Sequence, residues 1–218
     1  MGEKLKVLNL YAGIGGNRKL WEDVEVTAVE LNPEIAAIYQ DFFPQDKVII
    51  ADAHQYLLEH YKEYDFIWSS PPCPTHSDIR RCAVHRGQNK ALYPDMALYQ
   101  EIILCDNFIP INSKYVVENV QPYYEPLIKE SIRLHRHLFW NNFYVNNIKF
   151  TDLRKHEHIT DNSIIYGFDL NKCKFDNKRK ILRNMVMPEV GLHFLNCARN
   201  IITKQNIHQT ELWTISEQ

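Results

Sequence analysis

The chain has 218 residues, 45% hydrophobic and 24% charged, with a formal net charge of −2. That is one domain by length, or one core with a small appendage, and it is long enough to bury a core without disulfides or metals. The composition excludes a disordered chain, seven glycines exclude a collagen-like one, and no apolar run approaches the ~20 residues of a membrane-spanning helix. No signal-peptide pattern precedes Leu5, and five cysteines without a Cys-x-x-Cys pair fit a reducing cytoplasm.

Lys6–Tyr11 reads as a buried strand, followed by a glycine loop (Gly13, Gly15, Gly16) and a short helix around Arg18–Glu22. Val24–Glu30 is a second strand. Asn32-Pro33 starts a helix, with Asn as N-cap and Pro in the first turn, and Ile35, Ile38, Tyr39 and Phe42 at helical spacing. Lys47–Ala51 is a third strand ending at Asp52. Residues 53–63 alternate at helix period, and Asp65–Ser69 is a fourth strand. Repeated strand–helix alternation at short spacing predicts an α/β fold built on a doubly wound, mostly parallel sheet.

Pro71 to Pro94 is a long polar stretch without periodicity, a length usually reserved for functional loops. A helix over Asp95–Phe108 and strands over Lys114–Val120 and His137–Phe143 follow. Residues 146–180 lose periodicity and become basic. Val186–Ile202 returns to helix, with Val190, Phe194, Leu195 and Ala198 on one face. The expected organisation is a core over 1–145, a small recognition segment over 146–180, and a C-terminal segment over 181–218 whose helix returns to the core.

Charge is divided unevenly. Residues 1–118 hold 11 basic and 17 acidic side chains, whereas 119–218 hold 14 and 10. Six basic residues, among them Lys178, Arg179 and Lys180, crowd 172–183 against Asp176. The second half therefore suits a polyanion, or simply presents a solvated charged face.

Tyr11-Ala12-Gly13-Ile14-Gly15-Gly16 lies between a strand and a helix pattern. Glycines there let a ligand approach the backbone. Glu30 and Asp52 end the next two strands, at the carboxyl edge where doubly wound sheets bind ligands. A carboxylate after the second strand suits ribose hydroxyls, and Asp52 could accept from an adenine amino group. The Gly-x-Gly-Gly spacing departs from the dinucleotide fingerprint, so a nicotinamide cofactor is disfavoured.

Ser69-Ser70-Pro71-Pro72-Cys73-Pro74-Thr75-His76-Ser77 follows the fourth strand directly. Prolines stiffen the backbone around Cys73, as a nucleophilic thiol requires, and Arg80, Arg81, His85 and Arg86 supply positive charge in the same loop. Cys105 and Cys197 fall in apolar helical patterns and read as core. His76, Cys82 and His85 are spaced unlike any common zinc set, so no metal is expected.

These residues resemble the cytosine-C5 DNA methyltransferase family in four segments that keep the family's order. Asn9 to Gly16 resembles its S-adenosylmethionine (AdoMet) loop, and Ser70-Pro71-Pro72-Cys73 its nucleophile motif. Val117-Glu118-Asn119-Val120 resembles its Glu-Asn-Val motif, and Leu182-Arg183-Asn184-Met185-Val186 its late Gly-Asn-x-Val segment. The compact form is similar to phage and prophage members, whose setting is DNA methylation beside restriction. The resemblance implies a class I AdoMet-dependent methyltransferase fold and methylation of cytosine C5 in DNA, with the base flipped out of the duplex. It implies Cys73 as nucleophile and Glu118 as the group holding the base, with His135 and His137 as possible assistants. Tyr11, Ala12, Gly13, Gly15, Gly16, Glu30, Leu31, Asp52, Pro71 and Asn184 would hold AdoMet. Ser77, Arg80, Asn119, Arg136, Lys178, Arg179 and Lys180 would meet the nucleic acid.

Three positions depart from the family. Pro74 stands where Gln is usual after the nucleophile. The Gln-x-Arg-x-Arg strand is matched by Arg133-x-His135-x-His137, or with a one-residue shift by Arg136. Arg183-Asn184 replaces Gly-Asn, and Asn184 could equally be a helix N-cap. A histidine in place of arginine donates fully only when protonated, so turnover should fall above neutral pH. An RNA cytosine methyltransferase, or a non-catalytic or partner-dependent nucleic-acid-binding relative, remain the alternatives.

Overall fold

The computed structural model describes residues 3–146, 164–171 and 178–200. Nine strands and six helices lie within them. By compactness the chain divides into two units, one of residues 1–14 and 23–142, the other of 15–22 and 143–218.

In the first unit, strands β1 (Leu5–Leu10), β2 (Val24–Val29), β3 (Lys47–Ile49), β4 (Phe66–Ser69) and β5 (Lys114–Val120) are parallel, and β6 (Ile132–Leu134) and β7 (His137–Asn141) complete a seven-stranded sheet. The order is β3-β2-β1-β4-β5-β7-β6, with β7 antiparallel to both neighbours. The expected doubly wound, mostly parallel sheet is present. Every residue of β4 and the last four of β1 are buried, as strands covered on both faces must be. Helices α1 (Pro33–Phe42), α2 (Ala53–His60), α3 (Asp78–His85) and α4 (Ala97–Phe108) belong to this unit. The core joins Leu8, Leu10 and Ile67 of the sheet to Leu57 of α2 and Leu98, Ile102 and Cys105 of α4.

Strand register aligns the carboxyl edge. Leu10 pairs with Val29 on one side and Ser69 on the other, and Ser69 pairs with Val117. The residues after β1, β2 and β4 (Tyr11 to Gly13, Glu30, and Ser70 to Cys73), and Glu118 of β5 just past its last pairing with β4, therefore emerge along one line. Asn32 caps α1 as expected, its Oδ1 accepting from Glu34 N at 2.9 Å and Ile35 N at 3.2 Å, with Pro33 in the first turn. Asp52 caps α2 through Gln55 N at 2.9 Å.

The structure corrects several expectations. The 71–94 stretch contains α3, a short, mostly polar helix with no buried residue, although Ile79, Cys82 and Ala83 stand at helical spacing along it. Arg18–Glu22 is a run of turns with i→i−3 bonds (Arg18 N to Gly15 O, Trp21 N to Arg18 O) rather than a helix. Residues 133, 135 and 137 do not share one strand. β6 and β7 form a tight hairpin, with His135 at φ +52° in its turn.

The second unit holds a short hairpin of β8 (Ile164–Ile165) and β9 (Phe168–Asp169), then α5 (Lys178–Asn184) and α6 (Pro188–Ala198). The boundary drawn at residue 180 falls inside α5. Residues 15–22 join this unit through close backbone contact. A Cβ on Gly16 would stand 2.3 Å from Val186 O, and one on Gly191 2.1 Å from Asn17 O. Val190, Phe194, Leu195 and Cys197 of α6 are buried.

Candidate active site

Two groups of residues occupy the carboxyl edge of the first unit. Over β1 to β3, Gly13 sits at φ +55° with open space where a side chain would lie, a conformation costly for any other residue. Its N–H donates to Glu30 Oε2 at 3.0 Å, while Asn32 N donates to Oε1 at 2.9 Å. Both carboxylate oxygens are thereby aimed, and each keeps lone pairs for a ligand's hydroxyls. Leu31 beside it is 65% exposed, an apolar face at the same edge. Asp52 spends Oδ1 on its cap and retains Oδ2. Ala12 is buried, its N–H bonded to Val29 O. These residues fit a nucleoside-bearing cofactor. Gly15 and Gly16 lie in the second unit, and Gly16 serves packing, since Val186 O occupies its open side. Asn184 is the last residue of α5 and is exposed. It is not the N-cap of α6, a position held by Met187.

Over β4 and β5, Cys73 is half-buried, four residues past Ser69. Glu118, on the adjacent strand, is buried, and its Oε1 lies 3.7 Å from His137 Nε2. The antiparallel register makes this contact, because Val120 pairs with His137 and Glu118 with Phe139. Asn119 was expected on the substrate. The structure makes it a strut: Nδ2 donates to Pro71 O at 3.0 Å and Oδ1 accepts from Val120 N at 2.9 Å, so β5 braces the Cys73 loop. Pro71 is buried behind Cys73.

His135 and Arg136 are exposed in the hairpin turn, whereas half-buried His137 lies 3.7 Å from Glu118. Arg133 is exposed and pairs with Glu130 at 2.8 Å. Ser77 precedes α3, and Arg80 on α3 donates from Nη2 to Lys90 O at 3.3 Å while its Nε is buried without a partner. Arg80, Arg81, Thr75, Ser77, Leu92 and Tyr123 line a cavity of about 200 Å³ next to the Cys73 turn, with Arg81 stacked on Tyr123 at 5.2 Å. Lys178, Arg179 and Lys180 form the first turn of α5 in the second unit. The remaining lysines of the basic run, Lys172 and Lys174, lie outside the described residues. His76 is buried while Cys82 is exposed on α3, and no metal-binding trio of His, Cys, Asp or Glu occurs among the described residues.

Sequence reasoning missed a buried carboxylate. Glu101 of α4 is fully buried and accepts from Tyr11 Oη at 2.6 Å and Ser69 Oγ at 2.5 Å, with His54 Nδ1 at 3.0 Å. The ends of β1 and β4 are thus tied to α2 and α4. The hydrogen bond to Glu101 raises His54 above its ordinary 6.5, against the opposing pull of burial. Burial and then the Glu101 charge push the Tyr11 phenol far above its usual range. One signal was available: Glu101 stands three residues after Leu98 and four before Cys105, on the apolar face of its helix. Tyr11, expected against AdoMet, has its hydroxyl committed to this cluster.

The family model of C-5 cytosine-specific DNA methylases matches residues 5–120. A comparison with curated protein sequences gives no match. Among solved structures, the chain is similar to a SAM-dependent methyltransferase from Agrobacterium tumefaciens (16% identity, 57% of this chain and 41% of that one, TM-score 0.40). It is also similar to a variant of Spodoptera frugiperda DNMT2 (26% identity, 54% of this chain and 36% of that one, TM-score 0.37). The chain thus spans well under half the length of both. The mostly parallel sheet with one antiparallel strand fits the AdoMet-dependent methyltransferase fold expected of that family.

Proposed function

The chain belongs to the C-5 cytosine-specific DNA methylase family, whose methyl donor is AdoMet, and on that premise we propose that it methylates cytosine C5 in DNA through a covalent bond between Cys73 and C6. The observation that carries the reading is the register of β4 and β5. It sets the Cys73 loop and Glu118 at neighbouring strand ends, with Asn119 bonded to Pro71 between them. Cytosine C5 is too weakly nucleophilic to take a methyl group unaided. Addition of the Cys73 thiolate to C6 pushes electron density to C5 and to the N3 edge, where Glu118 holds it by hydrogen bonding. C5 gains the methyl carbon, then loses its proton as the C6–S bond breaks and the thiolate is released. His137 stands beside that carboxyl group, its Nε2 3.7 Å from Oε1.

AdoMet, when bound, supplies an electrophilic methyl group. Glu30 and Asp52 would take the ribose and adenine, and the open Gly13 backbone would face the rest of the donor. The target base must leave the duplex, since C6 is unreachable within the stack. The cavity lined by Arg80, Arg81 and Tyr123 suits the backbone and a neighbouring base. The exposed Arg179 and Lys180 add phosphate contacts that set affinity, so binding is expected to weaken steeply between 50 and 300 mM salt.

Covalent trapping tests the reading. The chain is mixed with AdoMet and duplex DNA carrying 5-fluorocytosine, whose fluorine cannot leave as a proton does. A denaturation-resistant adduct that needs AdoMet and disappears in Cys73→Ser is the expected result. An adduct on fluorinated RNA alone moves the substrate to RNA. No adduct on either, with AdoMet bound, overturns the catalytic assignment in favour of a binding role.

A further inference from the structure

The turn carrying Cys73 is fastened by groups that the proposed reaction does not use. In the main chain, His76 N and Ser77 N both donate to Cys73 O at 3.0 Å, and Tyr123 N donates to His76 O at 3.1 Å. Ser77 also bridges to Pro122. Thr75 Oγ1 accepts from Asp95 N at 3.0 Å, which draws the far end of the loop onto the same turn. Between these stems, α3 buries nothing.

The side chain of His76 completes the fastening. The residue is 1% exposed, and its Nδ1 meets Tyr124 Oη at 2.5 Å. Leu127 N donates to Tyr99 Oη at 3.2 Å, and Tyr99 donates to Tyr124 Oη at 3.4 Å. Tyr99 Oη accepts from Leu127 N and keeps its own proton for Tyr124. Tyr99 passes its proton to the Tyr124 oxygen, and Tyr124 passes its own to His76 Nδ1. Nδ1 is then an acceptor and the imidazole is neutral, the form that its burial favours.

We infer that His76 is a positioning residue for the nucleophile: through Tyr124 and Tyr99 it locks the Cys73 turn to α4 and to the segment that continues β5. The sulfur's place is thereby set by the unit's interior and not by the exposed loop that follows. Glu118 stands on the strand leading into the same segment, so one set of bonds holds the two proposed reacting groups in mutual geometry, where a displacement near 1 Å can cost about 100-fold in rate. The inference rests on the reading of Cys73 as nucleophile, although its first readout does not.

That readout is the rate at which iodoacetamide alkylates Cys73 in the full chain, followed by peptide mass spectrometry with exposed Cys82 as internal control. Tyr124→Phe, which deletes one oxygen, and His76→Leu are expected to change the Cys73 rate by at least about threefold while leaving Cys82 as it was. His76→Asn keeps an acceptor where Nδ1 stands and should return towards the wild-type rate. On 5-fluorocytosine DNA, Tyr124→Phe should slow adduct formation about 10- to 100-fold, with AdoMet affinity within about twofold of wild type. A Tyr124→Phe protein alkylated at the wild-type rate overturns the inference, as does His76→Asn behaving like His76→Leu. A wild-type chain that forms no adduct overturns the functional reading instead, and the alkylation contrast then decides the inference alone.

Discussion

Glu101 and Glu118 are buried carboxylates of the same unit, 0% and 7% exposed, and they are built into it differently. Glu101 is ringed by donors from three other elements, Tyr11 after β1, Ser69 of β4 and His54 of α2. Its charge is met by protein, and its bonds tie strand ends together. Glu118 lies beside the half-buried His137, at the strand end next to the Cys73 loop. A carboxylate closed in by its own fold is scaffold, whereas one placed where strands and loops converge is where the proposed reaction puts its chemistry.

The comparison is broken or sharpened by removing each charge in turn. Glu118→Gln should lower kcat by about 100-fold or more, as loss of a group stabilising developing charge does, with an unfolding midpoint within about 2 °C of wild type. Steady-state kinetics and calorimetry on one preparation check both. Glu101→Ala should show the opposite balance. It strands two hydroxyls in the interior, at a cost of about 3 kcal/mol, which for a chain of this size lowers the midpoint by roughly 6–12 °C. If Glu118→Gln were the variant that melts early while Glu101→Ala kept its midpoint, the two roles assigned here would be reversed.

Tyr11→Phe removes one donor from Glu101 and should cost about 1–2 kcal/mol, readable in a urea titration. A variant as stable as wild type would mean that the Tyr11 hydroxyl adds nothing to the cluster. The smallest effect concerns His54, which is partly exposed. Its protonated form is favoured in the fold by Glu101, so its contribution to stability is present below its ordinary value of 6.5 and fades as pH rises through its higher folded value. The midpoint difference between wild type and His54→Gln should therefore be larger at pH 6 than at pH 8.5. His76 has the opposite sign. Burial lowers its value, so the stability linked to its neutral ring is present above 6.5 and is lost as pH falls through the lower folded value. Removing Tyr124 leaves that burial in place and should leave the acid loss largely intact.

What the sequence determined by itself was local or strictly ordered. Strand–helix alternation, the Asn32 cap with Pro33, the strand over Lys114–Val120 and the motif series from Gly13 through Cys73 to Glu118 can all be read along the chain, because periodicity, caps and turns depend on near neighbours. What only the tertiary structure decided depends on residues far apart. The partners of Glu101 lie 90, 47 and 32 positions away, and Tyr124 lies 48 from His76. The turn at His135 split a stretch that alternation alone reads as one strand, and only the resulting register singled out His137. Helix α3 is eight residues long and mostly polar, and its trace of helical spacing at Ile79, Cys82 and Ala83 is too short to stand out of the polar stretch around it. Gly16 looked like part of a ligand loop, yet its open side is filled by Val186 O, 170 positions later in the chain. No local pattern carries such contacts, since the free energy of close packing belongs to pairs that meet only once the chain has folded.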